Sequence, residues 1–267
     1  MAIQTLYTAA TGMTALETKL DVVANNLANL ETVAFKKDRA NFEDLFYRHE
    51  KFPGAEDAAG QYTPTGISIG LGTRVSSVQS DFVQGAFQQT DRELDVVIEG
   101  PGFFQVTDPS GDIYYTRAGN FSKNAEGNLV LGSANTGRLL EPQITVPEDA
   151  TDIVISAEGI ISVRQPGSQQ LSQIGQIELA TFINPEGLLK LGENLYSETD
   201  ASGAPTLGTP AQDGVGKLQQ NALERSNVEP VKELIDLITT QRAFELNSQA
   251  IKVADELLQA VANLRRY

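Results

Sequence analysis

Both ends of this 267-residue chain carry the same helical periodicity, and no other feature restricts its fold as much. Near the start, Leu6, Ala9, Met13, Leu16, Leu20, Val23, Leu27 and Leu30 recur in alternating steps of three and four. That spacing lays one apolar seam along a helix that packs on another helix. It predicts a helix over residues 3–30, about 42 Å long at about 1.5 Å per residue. Near the end, Leu237, Phe244, Ile251 and Leu258 fall every seventh residue. A second row, Leu246, Ala250, Val253, Leu257, Val261 and Leu264, is expected to widen that stripe. Asn227 is the candidate N-cap, Pro230 suits the first turn, and Glu229 and Glu233 suit the positive helix end. Arg265 and Arg266 suit the opposite end, so the second helix is expected from Val228 to Leu264, about 55 Å.

The middle differs in kind. From about residue 66 to 200, short β-rich runs such as Asp95–Ile98, Phe103–Val106, Ile113–Thr116, Ile153–Ile155, Ile160–Val163 and Ile177–Phe182 alternate with Gly- and Pro-containing turns. The expected class is α+β, with long N- and C-terminal helices forming a coiled-coil layer. A central, mainly antiparallel β domain, barrel- or sandwich-like, is inserted between them. The expected divisions are residues 1–35 with 225–267 (helical), 36–90 with 200–224 (connecting, including 46–74), and 91–199 (β domain). The two apolar stripes pair with each other as an antiparallel coil, yet stripes this wide exceed one partner. Neighbouring subunits are expected to cover the remainder.

Composition thins the chemistry. With no Cys and one His, His49, the chain has no thiolate nucleophile, no disulfide and no multi-histidine metal site. A formal charge of −15 repels phosphate backbones, so nucleic acid is a poor partner. The first 30 residues hold Glu17, Lys19 and Asp21 and no continuous apolar run, so neither a cleaved signal peptide nor a membrane span is expected.

Gly66–Ile67–Ser68–Ile69–Gly70 matches the nucleophile-elbow pattern, but it lacks the strand before and the helix after, and His49 precedes Ser68. Its glycines are expected to mark a bend or bulge. Gly70–Leu71–Gly72 and Gly100–Pro101–Gly102 are not nucleotide loops, and Asp108–Pro109–Ser110–Gly111–Asp112 reads as a β-turn rather than a calcium loop. No catalytic, cofactor or metal residue is assigned, and no small-molecule substrate is expected. Glycosidase carboxylate pairs have no local signature, so a secreted β-rich carbohydrate-active enzyme oligomerised by its helices stands as the alternative class. Asn25, Asn26 and Asn29 interrupt the first helix, and Gln241, Arg242 and Asn247 crowd the second. These amides read either as a frayed, solvated end or as groups that bond across an interface and fix register.

Ala24–Asn25–Asn26–Leu27–Ala28–Asn29 with Phe35–Lys36, and Gln241–Arg242–Ala243–Phe244–Glu245–Leu246–Asn247–Ser248, resemble the terminal signatures of the bacterial flagellar rod and hook axial proteins. Ile98–Glu99–Gly100–Pro101–Gly102–Phe103–Phe104, Tyr115–Thr116–Arg117–Ala118–Gly119–Asn120–Phe121 and Gly192–Glu193–Asn194–Leu195–Tyr196 are similar to that family's central motifs. The segment from Phe46 to Arg74 resembles the insertion of the family's distal rod branch, as against another rod or hook paralogue. Ala34 stands where the family usually has glycine, so the turn there is expected to avoid positive φ; Phe244 replaces a usual tyrosine.

The resemblance implies a structural subunit, not an enzyme. It implies export by the flagellar type III apparatus, then helical polymerisation into a rigid tube spanning the periplasm. Implied partners are identical subunits, proximal rod proteins, the hook protein, and the P-ring and L-ring proteins. The implied self-assembly residues are Leu6, Met13, Leu20, Asn25, Asn26, Leu27, Asn29, Leu237, Gln241, Arg242, Phe244, Asn247, Ile251 and Leu258. Phe52, Pro53, Gly54, Pro64 and Gly66 are implied to belong to a rod-stiffening insertion.

Overall fold

The computed structural model describes residues 2–54, 62, 64–132, 137–167 and 170–264. It is α+β, with helix α1 (Ala2–Ala28) at the start, a mostly antiparallel β region in the middle and helix α2 (Pro230–Leu264) at the end. The chain forms two compact units: Met1–Ala28, Asp38–Ser80 and Glu229–Tyr267 make a terminal unit, and Asn29–Lys37 with Asp81–Val228 make a β unit. None of the helices is long and apolar enough to cross a membrane among the described residues.

In the terminal unit the two helices pack along each other, and two contacts fix how. Gly12 lies against the Asn247 side chain, where an added Cβ would sit 3.3 Å from Nδ2. Asn26 Nδ2 lies 3.4 Å from Glu233 Oε2. Moving forward from Gly12 to Asn26 moves back by the same number of residues on α2, so the helices are antiparallel and in continuous register. On α2 this seam runs through buried Glu233, Thr240 and Ala254 and half-buried Leu237, Phe244, Asn247, Ile251 and Leu258. These steps of three and four are the periodicity read from the sequence.

The expected widening of that stripe does not occur. Leu246, Val253 and Leu257 are more than half exposed. At about 100° per residue they lie on the far side of α2 from the seam. The side chains of Val261 and Leu264, and Arg265 and Arg266, fall outside the described residues. Nor does Asn227 cap α2, because its side chain is committed elsewhere, as described below.

The segment after α1 and the β unit's first passage contains strands β1 (Asp38–Asp44), β2 (Tyr47–Lys51), β3 (Ile67–Gly70) and β4 (Thr73–Ser80). β1 pairs with β4 and β2 with β3, both antiparallel. Leu45 N donates to Gly72 O (2.9 Å) and Leu71 N to Phe46 O (3.1 Å), so the two pairs join into one long two-stranded ribbon. Its base packs on α1. Gly72 makes that approach possible: its φ is +121°, and a Cβ there would meet Thr11 Oγ1 at 2.2 Å. The distal half, β2–β3, is exposed along nearly its whole length. Of the glycines of the 66–70 motif, Gly66 immediately precedes β3 and Gly70 ends it, and the irregularity sits across the ladder between His49 and Lys51.

The β unit is built on strands β5 (Phe87–Gln89), β6 (Val96–Glu99), β7 (Phe103–Thr107) and β8 (Ile113–Thr116). β7 and β8 are neighbours in a nine-stranded sheet; β6 pairs with Lys217–Gln220, β5 pairs with Ala222–Glu224, and Asp152–Ile155, Ile160–Arg164 and Ser172–Gln176 form a separate sheet. The expected strand Ile177–Phe182 is shorter than read, running from Leu179 to Thr181, and a separate strand ends just before it at Gln176. The core holds Val96, Ile98, Phe104, Phe121, Leu131, Ile161 and Leu179, with Phe104 and Phe121 edge to face at 5.0 Å. Gly119 is required where it stands, since a Cβ would lie 1.7 Å from the Val96 carbonyl oxygen.

Ala34 overturns its expectation, with φ of +56°. Its N–H donates to the Glu224 carbonyl (2.8 Å) and its methyl group is buried in the core. A tertiary hydrogen bond and core burial here outweigh a left-handed cost of about 1–2 kcal/mol.

Candidate assembly surfaces

Asn26 shows why an amide interrupts an apolar seam. Its side chain is buried and makes a two-way bond with Asp38: Nδ2 donates to the carbonyl (2.9 Å) and Oδ1 accepts from the N–H (2.9 Å). Nδ2 also faces Glu233 in the first turn of α2. Asp38 in turn accepts from Ser80 Oγ at 2.7 Å. One side chain therefore ties the end of α1, the start of β1 and the first turn of α2. No apolar residue could satisfy that backbone pair.

A second buried cluster lies in the β unit. Lys36, fully buried, donates through Nζ to Glu224 Oε1 (2.5 Å) and to the Val83 carbonyl (2.9 Å). Glu224 Oε1 also accepts from Gly85 N–H (2.8 Å), and its Oε2 accepts from Arg117 Nε (3.0 Å). Arg117 Nη1 donates to the carbonyls of Gly100 (3.1 Å) and Gly102 (2.9 Å). Burial pushes the Lys36 ammonium below its usual range; Glu224 opposes the shift and Arg117 adds to it. Two cations thus share one carboxylate away from water. Beside them, Asn227 Nδ2 donates to the carbonyls of Asp81 (2.7 Å) and Val83 (3.0 Å), and its Oδ1 accepts from Lys37 N–H (2.8 Å). Lys36–Lys37, Asp81–Gly85 and Glu224–Asn227 are three separate segments of the β unit, and this cluster holds them together.

Among the described residues, two groups of exposed apolar side chains stand out. Val231, Ile235, Ile238, Leu246, Val253 and Leu257 form an exposed apolar row on α2, opposite its seam with α1. The free half of the ribbon exposes Phe46, Tyr47, Phe52, Tyr62 and Ile67. On α2 the exposed Arg242–Glu245 pair divides the row between Ile238 and Leu246; exposed apolar groups clustered in this way mark an interaction surface. The β unit also contains Tyr115, whose phenol is pushed up to about 12 by burial and by the nearby Glu198 carboxylate.

Comparison with known proteins matches three stretches to family descriptions. Residues 6–36 match the flagella basal body rod protein, residues 97–163 the flagellar hook protein FlgE/F/G D1 domain, and residues 219–264 the flagellar basal body rod FlgEFG protein C-terminal. A flagellar basal-body rod protein FlgG of Caulobacter vibrioides is 45% identical over 264 residues, covering 98% of this chain and 100% of the relative. Those of Agrobacterium fabrum (44%, 97% and 98% covered) and Borreliella burgdorferi (41%, 99% and 99% covered) align as fully. The chain belongs to the flagellar basal-body rod protein family. It is a structural subunit of the rod.

The rod-protein signatures now have physical content. Lys36 and Arg117, each inside a motif of the resemblance, meet through Glu224, which no local pattern singled out. The partners are 188 and 107 residues apart, beyond the reach of any local pattern. Glu193 and Asn194, both at positive φ, make the tight turn between Leu189–Gly192 and Leu195–Ser197. Of the residues assigned to assembly, Leu6, Met13, Leu20 and Leu27 are half-buried on α1, while Asn25 is exposed. Asn29 is half-buried and belongs to the β unit, where its Oδ1 accepts from Thr32 Oγ1 (3.1 Å). Gln241 and Arg242 are exposed, Arg242 pairing with Glu245 at 2.8 Å. Phe52, Pro53, Gly54, Pro64 and Gly66 are exposed on the distal ribbon and its approach to the tip; residues 55–61 and 63 lie outside the described ones. His49 stacks on Phe52 at 5.2 Å.

Proposed function

We propose that this chain is the distal rod subunit. It polymerises helically into a rigid, hollow shaft that crosses the periplasm, passes through the P and L rings, joins the proximal rod to the hook and transmits torque. Its terminal helices form the inner coiled-coil layer and its β unit faces outward. It reaches its site through the flagellar type III export apparatus without a cleaved signal peptide.

The observation that carries this reading is the second apolar face of α2. One face is spent on α1, and the other, from Val231 to Leu257, is exposed. Burying a Val, Leu or Ile side chain is worth about 1.5–3 kcal/mol, so a row of six is a strong drive to association. In a homopolymer the cover is a helix of another copy. A contact between two different surfaces generates a helical filament when its rotation does not close into a ring. The assigned residues Leu6, Met13, Leu20, Asn25, Asn26, Leu27, Asn29, Leu237, Gln241, Arg242, Phe244, Asn247, Ile251 and Leu258 build and border that layer. The ribbon carrying Phe52, Pro53, Gly54, Pro64 and Gly66 bridges copies and stiffens the shaft.

Truncation tests the reading. Cells supplied only with a chain lacking residues 1–30 or 228–267 are expected to build no distal rod. Complete rods from either truncated chain contradict the proposal. Deleting Phe52–Gly66 is expected to cost the rod its straightness, and an unchanged straight rod counts against the stiffening role.

A further inference from the structure

We infer that the β unit binds one ordered water molecule between Asp95 and Asn120, and that Asn120 stands in the Tyr115–Phe121 motif to hold it. The water lies within the β unit, whatever that unit assembles into.

Among the described residues, four buried side-chain nitrogen or oxygen atoms lack a hydrogen-bond partner. Two of the four, Asp95 Oδ1 and Asn120 Oδ1, belong to residues that stand opposite each other in an isolated antiparallel bridge. The Val96 N–H donates to the Gly119 carbonyl (2.9 Å), one step along from that pair on each strand. The bond makes Asp95–Asn120 a non-hydrogen-bonded pair, the kind whose side chains stand closest. Both orphaned atoms are oxygens, so neither can donate to the other. Asp95 is only 2% exposed. A carboxylate oxygen kept dry and unbonded is costly, and folded proteins satisfy such groups with a protein donor or an ordered water.

Arg92 forms the third side of the site. Its Nη2 donates to the Phe121 carbonyl (3.2 Å), and its Nη1 lies 3.8 Å from Asp95 Oδ1. That separation balances the carboxylate charge but is too long for a hydrogen bond, and a gap of this size suits a water between the two groups. The Asp95 N–H donates to the Arg92 carbonyl (3.2 Å), so both residues are held on one turn.

The donors and acceptors select the ligand. Two oxygens need a proton each, and one guanidinium N–H needs an acceptor. Water answers all three, donating to Asp95 and Asn120 and accepting from Arg92, which is the usual number of bonds for a buried water. A metal ion suits the site poorly, because Arg92 already neutralises Asp95 and repels a second cation. An anion would meet two oxygens. The water joins the turn that leads into β6 to the motif that ends at Phe121, whose ring lies in the core. An amide suits position 120 because its oxygen reaches the water, which an apolar side chain could not bind.

A crystal structure of the full-length chain, at a resolution that shows ordered water, tests the assignment. The expected density is one peak about 2.7–3.2 Å from each of Asp95 Oδ1, Asn120 Oδ1 and Arg92 Nη1, and crystals of Asn120→Leu are expected to lack it. An Asn120 amide turned so that Nδ2 donates directly to Asp95, with no water between, overturns the inference. So does a peak whose oxygen contacts are as short as the roughly 2.0–2.6 Å of a bound magnesium or calcium ion. The native crystals decide both points whether or not Asn120→Leu folds. A water that keeps its place in Asn120→Leu removes the role given to Asn120.

Discussion

Glu224 balances two buried cations with one carboxylate, which makes its cluster unequal to perturbation. Removing Lys36 leaves Glu224 paired with Arg117 and the Gly85 N–H, and Val83 O still accepts from Asn227. Removing the Glu224 charge leaves two cations together out of water. Lys36→Met is therefore expected to cost less than about 2 kcal/mol, and Glu224→Leu about 3–5 kcal/mol, in urea denaturation. A smaller loss for Glu224→Leu than for Lys36→Met contradicts the assignment. The lysine also sets a pH slope. Its folded-state pKa lies below the 10.5 of the unfolded chain, so within that window the unfolded state holds more protons and stability rises with pH. Comparing unfolding midpoints of the native chain and Lys36→Met from pH 8 to 10.5 isolates this, and the difference is expected to shift in favour of the native chain as pH rises. Asn26→Leu is expected to cost about 1–3 kcal/mol, since it removes the two bonds that a buried side chain makes to the half-buried backbone of Asp38. At this scale the sequence displayed the motifs but not their partners: Lys36 and Arg117 sit in short signatures, whereas Glu224 meets them only through the fold.

The helices were the most legible elements, because a seam of alternating three and four admits few other structures. The same periodicity misled in one respect. Leu246, Val253 and Leu257 look contiguous with the α2 seam on paper, but they occupy its opposite side and make α2 a helix with two apolar faces. That distinction separates two kinds of substitution. Ile251→Asp, on the seam, is expected to destabilise the isolated chain by about 2–4 kcal/mol. Leu246→Asp, on the outer face, is expected to leave thermal unfolding of the isolated chain within about 0.5 kcal/mol of native while abolishing rod formation. Equal effects of the two on the isolated chain contradict the two-faced helix. The ribbon was harder to foresee. Residues 46–74 read as an extended Gly- and Pro-containing stretch, because Tyr47–Lys51 carries no apolar alternation and the short alternation of Ile67, Ile69 and Leu71 is interrupted by Gly66, Gly70 and Gly72.

At the scale of the whole molecule, composition and geometry agree. Zero cysteine and a single, exposed histidine accompany a chain whose family builds structural rods. Negative charge is concentrated in the β unit, while the terminal unit is closer to balance, with 14 Asp and Glu against 10 Lys and Arg. The order of helix, β region and helix was readable from the chain. Asn29–Lys37 belongs to the β unit, and its hydrogen bonds to Glu224 and Asn227 span the length of the chain, so no local pattern marks it. Assembly itself is best read in place, by cryo-electron microscopy of basal bodies purified from cells that make this chain. The expected map shows α1 and α2 in the inner wall of the distal rod, with Val231, Ile238, Leu246 and Val253 covered by helices of neighbouring copies. A rod in which that face of α2 meets solvent, or one that lacks this chain, contradicts the proposed function.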